Sequence, residues 1–408
     1  MPNSSNEESR PLPERANLRH LKDEAKALVK AGGNATLSAA QFQIARLYGF
    51  ASWPKLKAHV ERLEAAQREI AELKQAIDTN DLERVKALMT RNPELHRAPL
   101  GYGKNGPLTW VAECREPWEA PTAVRLAIAQ WMIDNGSDVH QGGDGPLMRA
   151  ALVDMRIPMM ELLVKNGADV NAEWNGYYSI IFAPCETLAP AALKWLLDHG
   201  ANPNCGKAGR KYPDSALDFV IGTYSRSAQL ASCIDILVEA GCASRRKMPA
   251  VMEILRGRID LLAERLDADP SLIGTRFPEL DFGSTGYRRL KLGGATLLHV
   301  AAEYGNVEAA RLLVERGADV NARADVDETG VGGQTPIFHA ATQFYDWGLP
   351  TVEFLLKNGA DLSLRAKLPG HYERADEFVE CTSLEYARLF PGNENQTVAC
   401  LSAAAEVD

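Results

Sequence analysis

The chain has 408 residues, far more than one packed core needs, so it is either several domains or one elongated array. Apolar residues make up 46% and charged residues 24%, ordinary values for a chain that folds in water, and no apolar run of 18 residues occurs that could cross a membrane. The net charge of −9 is uneven: residues 10–60 carry nine Lys/Arg against three Asp/Glu, residues 1–9 carry −2 and the remaining 348 carry −13. Nucleic acid is therefore not the expected main partner, because phosphate affinity rests on basic groups.

Residues 1–15 are polar and read as a disordered tail, with Glu7 and Glu8 standing where a signal peptide would be apolar, so a cytoplasmic location is expected. Residues 16–67 form a separate helical module. Leu18, Leu21, Ala25 and Leu28 recur at helical spacing with lysines between them, and Gly32-Gly33 ends that helix. A second helix starts at Ser38 and reaches Tyr48. The phrase Tyr48-Gly49-Phe50-Ala51-Ser52-Trp53-Pro54 then leads into a third, which continues past Val60 and Glu61. Phe50 and Trp53 are expected to pin the turn, and Ser52 and Pro54 to start the helix. The module reads as a helical cap; its surplus of basic charge gives a second reading, contact with nucleic acid or a membrane.

From residue 68 to 381 the chain repeats itself. Asn135-Gly136-Ser137-Asp138-Val139-His140 is followed by Asn166-Gly167-Ala168-Asp169-Val170-Asn171 and His199-Gly200-Ala201-Asn202-Pro203-Asn204. Then come Ala240-Gly241-Cys242-Ala243, Arg316-Gly317-Ala318-Asp319-Val320-Asn321 and Asn358-Gly359-Ala360-Asp361-Leu362-Ser363. The glycines are separated by 31, 33, 41, 76 and 42 residues. Each follows an apolar helical pattern such as Leu312-Leu313-Val314, and a left-handed glycine is the residue that ends such a helix without steric cost. At the opposite end of a unit, Ala295-Thr296-Leu297-Leu298-His299 and Gln334-Thr335-Pro336-Ile337-Phe338-His339 begin a first helix. There Thr caps and Pro fits the first turn. Two cryptic units match each other, Leu82 to Pro93 and Ile259 to Pro270, and the second fills the 76-residue gap. Thr382-Ser383-Leu384 opens a last, alanine-rich unit, so 382–408 is expected to be a capping repeat and tail.

These segments resemble the ankyrin repeat, a unit of about 33 residues that opens on a T-P-L-H-x-A phrase. The match is most specific at 294–323, good at 144–173 and 333–365, and degenerate elsewhere. The resemblance implies an all-α solenoid of about nine helix–turn–helix units, stacked so that each buries its apolar face against its neighbours. It also implies a concave side, built from first helices and outward loops, where ankyrin proteins generally hold partners. Ala45-Arg46-Leu47 together with residues 48–61 looks like a leader, A-R-x-Y-G-F-x-S-W-P-x-L-K-x-H-V-E, that precedes ankyrin arrays in many bacterial proteins.

No phosphate-binding glycine loop, HExxH or GxSxG motif occurs. Seven scattered cysteines without a CxxC pair suggest neither disulfides nor a zinc site, so no catalytic residue, metal or cofactor is expected. The ends of the first helices are unusual for the residue types they carry. Candidate partner-binding residues there are Glu113, Arg115, Trp118, Asp154, Glu186, Tyr224, Tyr304, His339, Tyr345 and Asp346, since Tyr, Trp and Arg dominate interface energies. The long loop 274–294 adds Tyr287, Arg288 and Arg289, and 323–334 and 364–381 are long as well. The expected function is binding of a protein or peptide in the concave groove without catalysis. The alternative is an enzyme or small-ligand receptor with a pocket lined by Asp154, Glu186, Tyr224 and His339. His299 is expected to be structural, bonding to neighbouring backbone.

Overall fold

The computed structural model describes residues 10–13, 17–31, 36–114, 119–205, 215–222, 226–244, 248–277, 290, 293–371, 374, 377–390 and 396–406. They fall into two compact bodies, one within Met1–Val111 and Thr122–Ser137, the other within Ala112–Cys114, Glu119–Pro121 and Asp138–Asp408.

The first body opens with α1 (Leu18–Lys30), α2 (Leu37–Leu47) and α3 (Trp53–Asp78). Asn17 caps α1 by accepting from the His20 amide, and Thr36 caps α2 through Ala39. Leu21, Ala25, Ala40, Ile44, Ala45, Tyr48, Leu56 and Val60 bury one another, with Phe50 and Trp53 packed against them. That is the role the sequence assigns to the two aromatics. The helix α3 passes residues 67 and 68 without a break, so the module and the first repeat-like pair share it. The second half of α3 packs on α4 (Leu82–Arg91), and α4 on α6 (Ala123–Asp134), which follows α5 (Pro107–Glu113).

The second body is a succession of short helical pairs: α7 (Gly145–Ala150) with α8 (Ile157–Lys165), and α9 (Phe182–Thr187) with α10 (Pro190–Asp198). Next come α11 (Ala216–Gly222) with α12 (Gln229–Glu239), and α13 (Pro249–Leu255) with α14 (Ile259–Ala268). The last are α15 (Leu297–Glu303) with α16 (Val307–Glu315), α17 (Pro336–Ala341) with α18 (Leu349–Lys357), and α19 (Ser383–Ala387) with α20 (Gln396–Ala405). First helices pack on first helices (α13, α15, α17 and α19 in turn) and second helices on second helices (α14, α16, α18 and α20). The paired alanines explain how: Ala150 and Ala151, Ala301 and Ala302, and Ala340 and Ala341 are all buried.

The glycines that end the second helices behave as their position in the repeat requires. Gly317 and Gly359 have φ of +92° and +86°, and no atom lies within 4 Å of the place a Cβ would take. The backbone conformation, not lack of space, selects glycine there. Four residues beyond the repeated glycine stands an asparagine that sews successive units together. The Asn321 side chain donates to Gly359 O (2.9 Å) and accepts from the Asp361 amide (2.8 Å). Asn171 does the same to Gly200 and Asn202 at 2.9 and 2.8 Å. His140 occupies the equivalent position one unit earlier and bonds Asp144 instead, at 2.7 Å.

The all-α expectation needs one amendment, because the loops carry two small hairpins. Strands β1 (Glu173–Trp174) and β2 (Tyr178–Ser179) flank Asn175-Gly176, both at positive φ, the signature of a tight primed turn. Strands β3 (Ala366–Pro369) and β4 (Phe378–Cys381) pair Ala366 with Cys381 and Pro369 with Phe378. Bridges link Val326 to Gly332 and Gly332 to Lys367, while Arg276 reaches Asp325 at 2.9 Å. The long loops are thus tied to one another.

Candidate functional site

At the start of α15 the Thr296 amide donates to His299 Nδ1 at 3.2 Å, which leaves the proton on Nε2 to donate to Gln334 O at 3.1 Å. His299 is fully buried and joins its own unit to the next, as expected of it. Burial first, and the neighbouring His339 ring second, hold its pKa down at about 3, against 6.5 for a free imidazole. The unfolded chain therefore binds more protons than the fold between those values. Its contribution is intact above pH 6.5 and is lost as pH falls toward about 3. Urea midpoints at about pH 7 and about pH 5 test this: the native chain should lose more than a His299→Gln chain, and equal losses would clear His299 as the cause.

At the other end of the same helix, Glu303 sits between Arg226 and His339. Its Oε1 lies 3.1 Å from Arg226 Nη2 and its Oε2 2.9 Å from His339 Nδ1, with all three side chains no more than 3% exposed. The Arg226 guanidinium lies 4.3 Å from the Tyr304 ring centroid, and Tyr304 Oη donates to Ile221 O at 2.7 Å. Gln343 Nε2 closes the cluster by donating to the carbonyls of Glu303 (2.7 Å) and His339 (2.9 Å). Arg226 and Ile221 belong to the pair α11/α12 and Glu303 to α15, so this strut passes over the whole intervening pair α13/α14. The expectation that units meet only their immediate neighbours is corrected here.

The other predicted carboxylates also hold internal partners. Glu113, 1% exposed, pairs with Arg149 Nε at 3.0 Å. Asp154 accepts from the Ala192 amide in the first turn of α10 (2.8 Å). Glu186 accepts from Tyr178 Oη at 2.7 Å, and Asp346 from the Gln396 and Thr397 amides that begin α20. Glu113, Tyr304 and His339 are buried, so their side chains build the stack and present no surface to a partner. Tyr345 is the opposite case: it is 95% exposed, with φ of +54°, in the turn between α17 and α18. Arg115, Trp118, Tyr224, Tyr287, Arg288 and Arg289 lie outside the described residues.

Sequence reasoning did not assign Arg226, Arg149 or the asparagine ladder. Only the ladder had a visible signal, the recurrence of Asn after Gly-Ala-Asp-Val. Of the four residues of the alternative pocket, Asp154, Glu186 and His339 each hold a separate internal bond, and Tyr224 lies outside the described residues. A cavity of about 290 Å³ lies elsewhere, lined by Met248, Val251, Leu272 and Phe277 with Arg265 and Asp269 near them. Among the described residues no group of His, Cys, Asp or Glu is arranged to hold a metal, and no helix is long and apolar enough to cross a membrane. All seven cysteines are free thiols; burial pushes those of Cys233 and Cys381 up to about 12.

The second body is thus a stack of helical repeats. A protein-family model described as ankyrin repeats, in three copies, matches residues 276–366, and those residues are ankyrin repeats. The mouse (Mus musculus) ankyrin repeat domain-containing protein SOWAHD is 30% identical over 149 residues, 36% of this chain. The chain spans about two-fifths of that relative, 41% of its length. The crystal structure of the human ASB11 ankyrin repeat domain is similar at a TM-score of 0.36 and 19% identity, over 63% of this chain and 99% of that one.

Proposed function

We propose that the chain is a non-catalytic binding module, in which all nine helical pairs act as ankyrin-type units and hold a protein or peptide against the turns after the first helices and the long loops. Ankyrin repeats typically mediate protein–protein contact, and residues 276–366 carry them. One residue supports the reading most strongly. Tyr345 occupies the left-handed region, which costs a non-glycine residue about 1–2 kcal/mol. At 95% exposure its ring recovers almost nothing by burial. Glycine would serve the fold better, so an exposed tyrosine held there has its use outside the fold. Tyrosine is also among the residues that anchor interfaces.

The turn is held firmly from beneath. Trp347 Nε1 lies 3.4 Å from Tyr304 O and its ring covers Gly305, while Asp346 caps α20. An aromatic anchor on a fixed base loses little freedom on binding. The test is a peptide selected from a display library on the native chain. Tyr345→Ala should weaken it at least about tenfold, the size expected of an anchor residue, without lowering the melting temperature. Unchanged affinity for every selected peptide would overturn the proposal.

A further inference from the structure

The hairpin β3/β4 has one covered edge and one open edge. Gly332 donates to Lys367 O at 2.8 Å, so the preceding loop covers the outer edge of β3. The strand β4 pairs with the other edge of β3 and is the last strand among the described residues. Its register decides which of its backbone groups are used. Gly370 donates to Glu377 O at 2.9 Å, so by the alternation of an antiparallel ladder Leu368–Val379 and Ala366–Cys381 are the bonded pairs. Lys367–Glu380 and Pro369–Phe378 are then the unbonded pairs, and the amides and carbonyls of Phe378 and Glu380 point away from β3. Glu380 O accepts from Arg365 Nη2 at 2.6 Å. The amides of Phe378 and Glu380 and the carbonyl of Phe378 have no hydrogen-bond partner among the described residues, and both residues are exposed.

An edge with unpaired donors and acceptors is a template for a further strand, and the antiparallel kind of pairing is the more stable. The two faces of the hairpin narrow what that strand carries. Ala366, Leu368 and Cys381 are buried on one face, while on the other Phe378 is 51% exposed and Glu380 stands opposite Lys367. Lys367 is held by Thr329 O at 2.9 Å, and Glu380 has no ion pair among the described residues. An incoming antiparallel strand sets one residue opposite Glu380 and, two places later, one opposite Phe378. A lysine or arginine suits the first place and a β-branched or aromatic residue the second. A second copy of this chain fits less well, because two β4 strands paired about Val379 set each Phe378 against a Glu380. We infer that β4 takes up an extended peptide of basic–x–apolar pattern as an added antiparallel strand. This rests on the reading of the chain as a peptide-binding module and gives that module a contact distinct from the Tyr345 turn.

The full chain is tested with an end-blocked probe peptide of threonines carrying one arginine and, two places later, one valine. Hydrogen exchange at the Phe378 and Glu380 amides should slow when the probe is added. N-methylating the arginine and valine amides, which would face β4, should weaken binding at least about tenfold through two lost hydrogen bonds. N-methylating the threonine between them should leave binding unchanged, since its amide faces away from β4. Glu380→Lys should reverse the preference, favouring a probe with glutamate in place of arginine. Unslowed exchange at both amides, or equal loss from the two methylation patterns, would overturn the inference. So would protection that grows with protein concentration in the absence of peptide, which would assign the edge to a second copy. The exchange and methylation measurements use the native chain and this probe alone, so they can fail while the Tyr345 result stands.

Discussion

Replacing Glu303 with alanine is expected to destabilise the second body by about 3–5 kcal/mol, the cost of stranding a buried charge whose partner has been removed. Arg226 is 3% exposed and His339 fully buried, so neither can turn to water when the carboxylate goes. Part of the loss should return in a chain with both Glu303→Leu and Arg226→Met. Buried ion pairs replaced whole by apolar residues of similar volume are often neutral or better. The effect should not stay local, because Tyr304 and Arg226 together connect α15 to the pair α11/α12. Urea denaturation followed by circular dichroism measures it. A single-variant loss below about 1 kcal/mol would show that the strut contributes no more than a surface pair.

Gly348→Ala is the second large effect. A Cβ on Gly348 would stand 2.0 Å from the carbonyl oxygen of Ala340 and 2.9 Å from its carbon, both backbone atoms that no side-chain rotation can move. The start of α18 would have to shift away from α17, at a cost of about 3 kcal/mol. The same change at Gly317 meets no atom within 4 Å and costs only the left-handed conformation, about 1–2 kcal/mol. A denaturant midpoint for Gly348→Ala equal to that of Gly317→Ala would contradict the close approach.

The two glycines also show what a sequence can reveal. Gly317 repeats with its neighbours in the chain, so its period gave it away, and the same recurrence located Thr296, Thr335 and the alanine pairs. Gly348 recurs nowhere and owes its identity to one backbone contact that folding creates. The candidate site divides in the same manner. Residue type and position at a helix end drew attention to Glu113, Asp154, Glu186, His339 and Asp346. Whether a carboxylate faces solvent depends on which cation or amide reaches it from another unit. Arg226 reaches Glu303 across 77 residues and Asp346 reaches Thr397 across 51, separations that no local pattern encodes. The sequence shows Tyr345 only as an aromatic at a helix end; its left-handed backbone and near-total exposure belong to the structure alone. The hairpin at Asn175-Gly176 has a turn signal in the sequence, but its strands are two residues each, too short to carry an alternating pattern.

The turn carrying Tyr345 is proposed to contact a partner. A photo-crosslinking amino acid placed at residue 345 in cells addresses it directly, with Leu261, 43% exposed on α14, as the control position. A discrete adduct at 345 that is missing at 261 is the predicted result; no adduct at 345, or the same adducts at both positions, would contradict it.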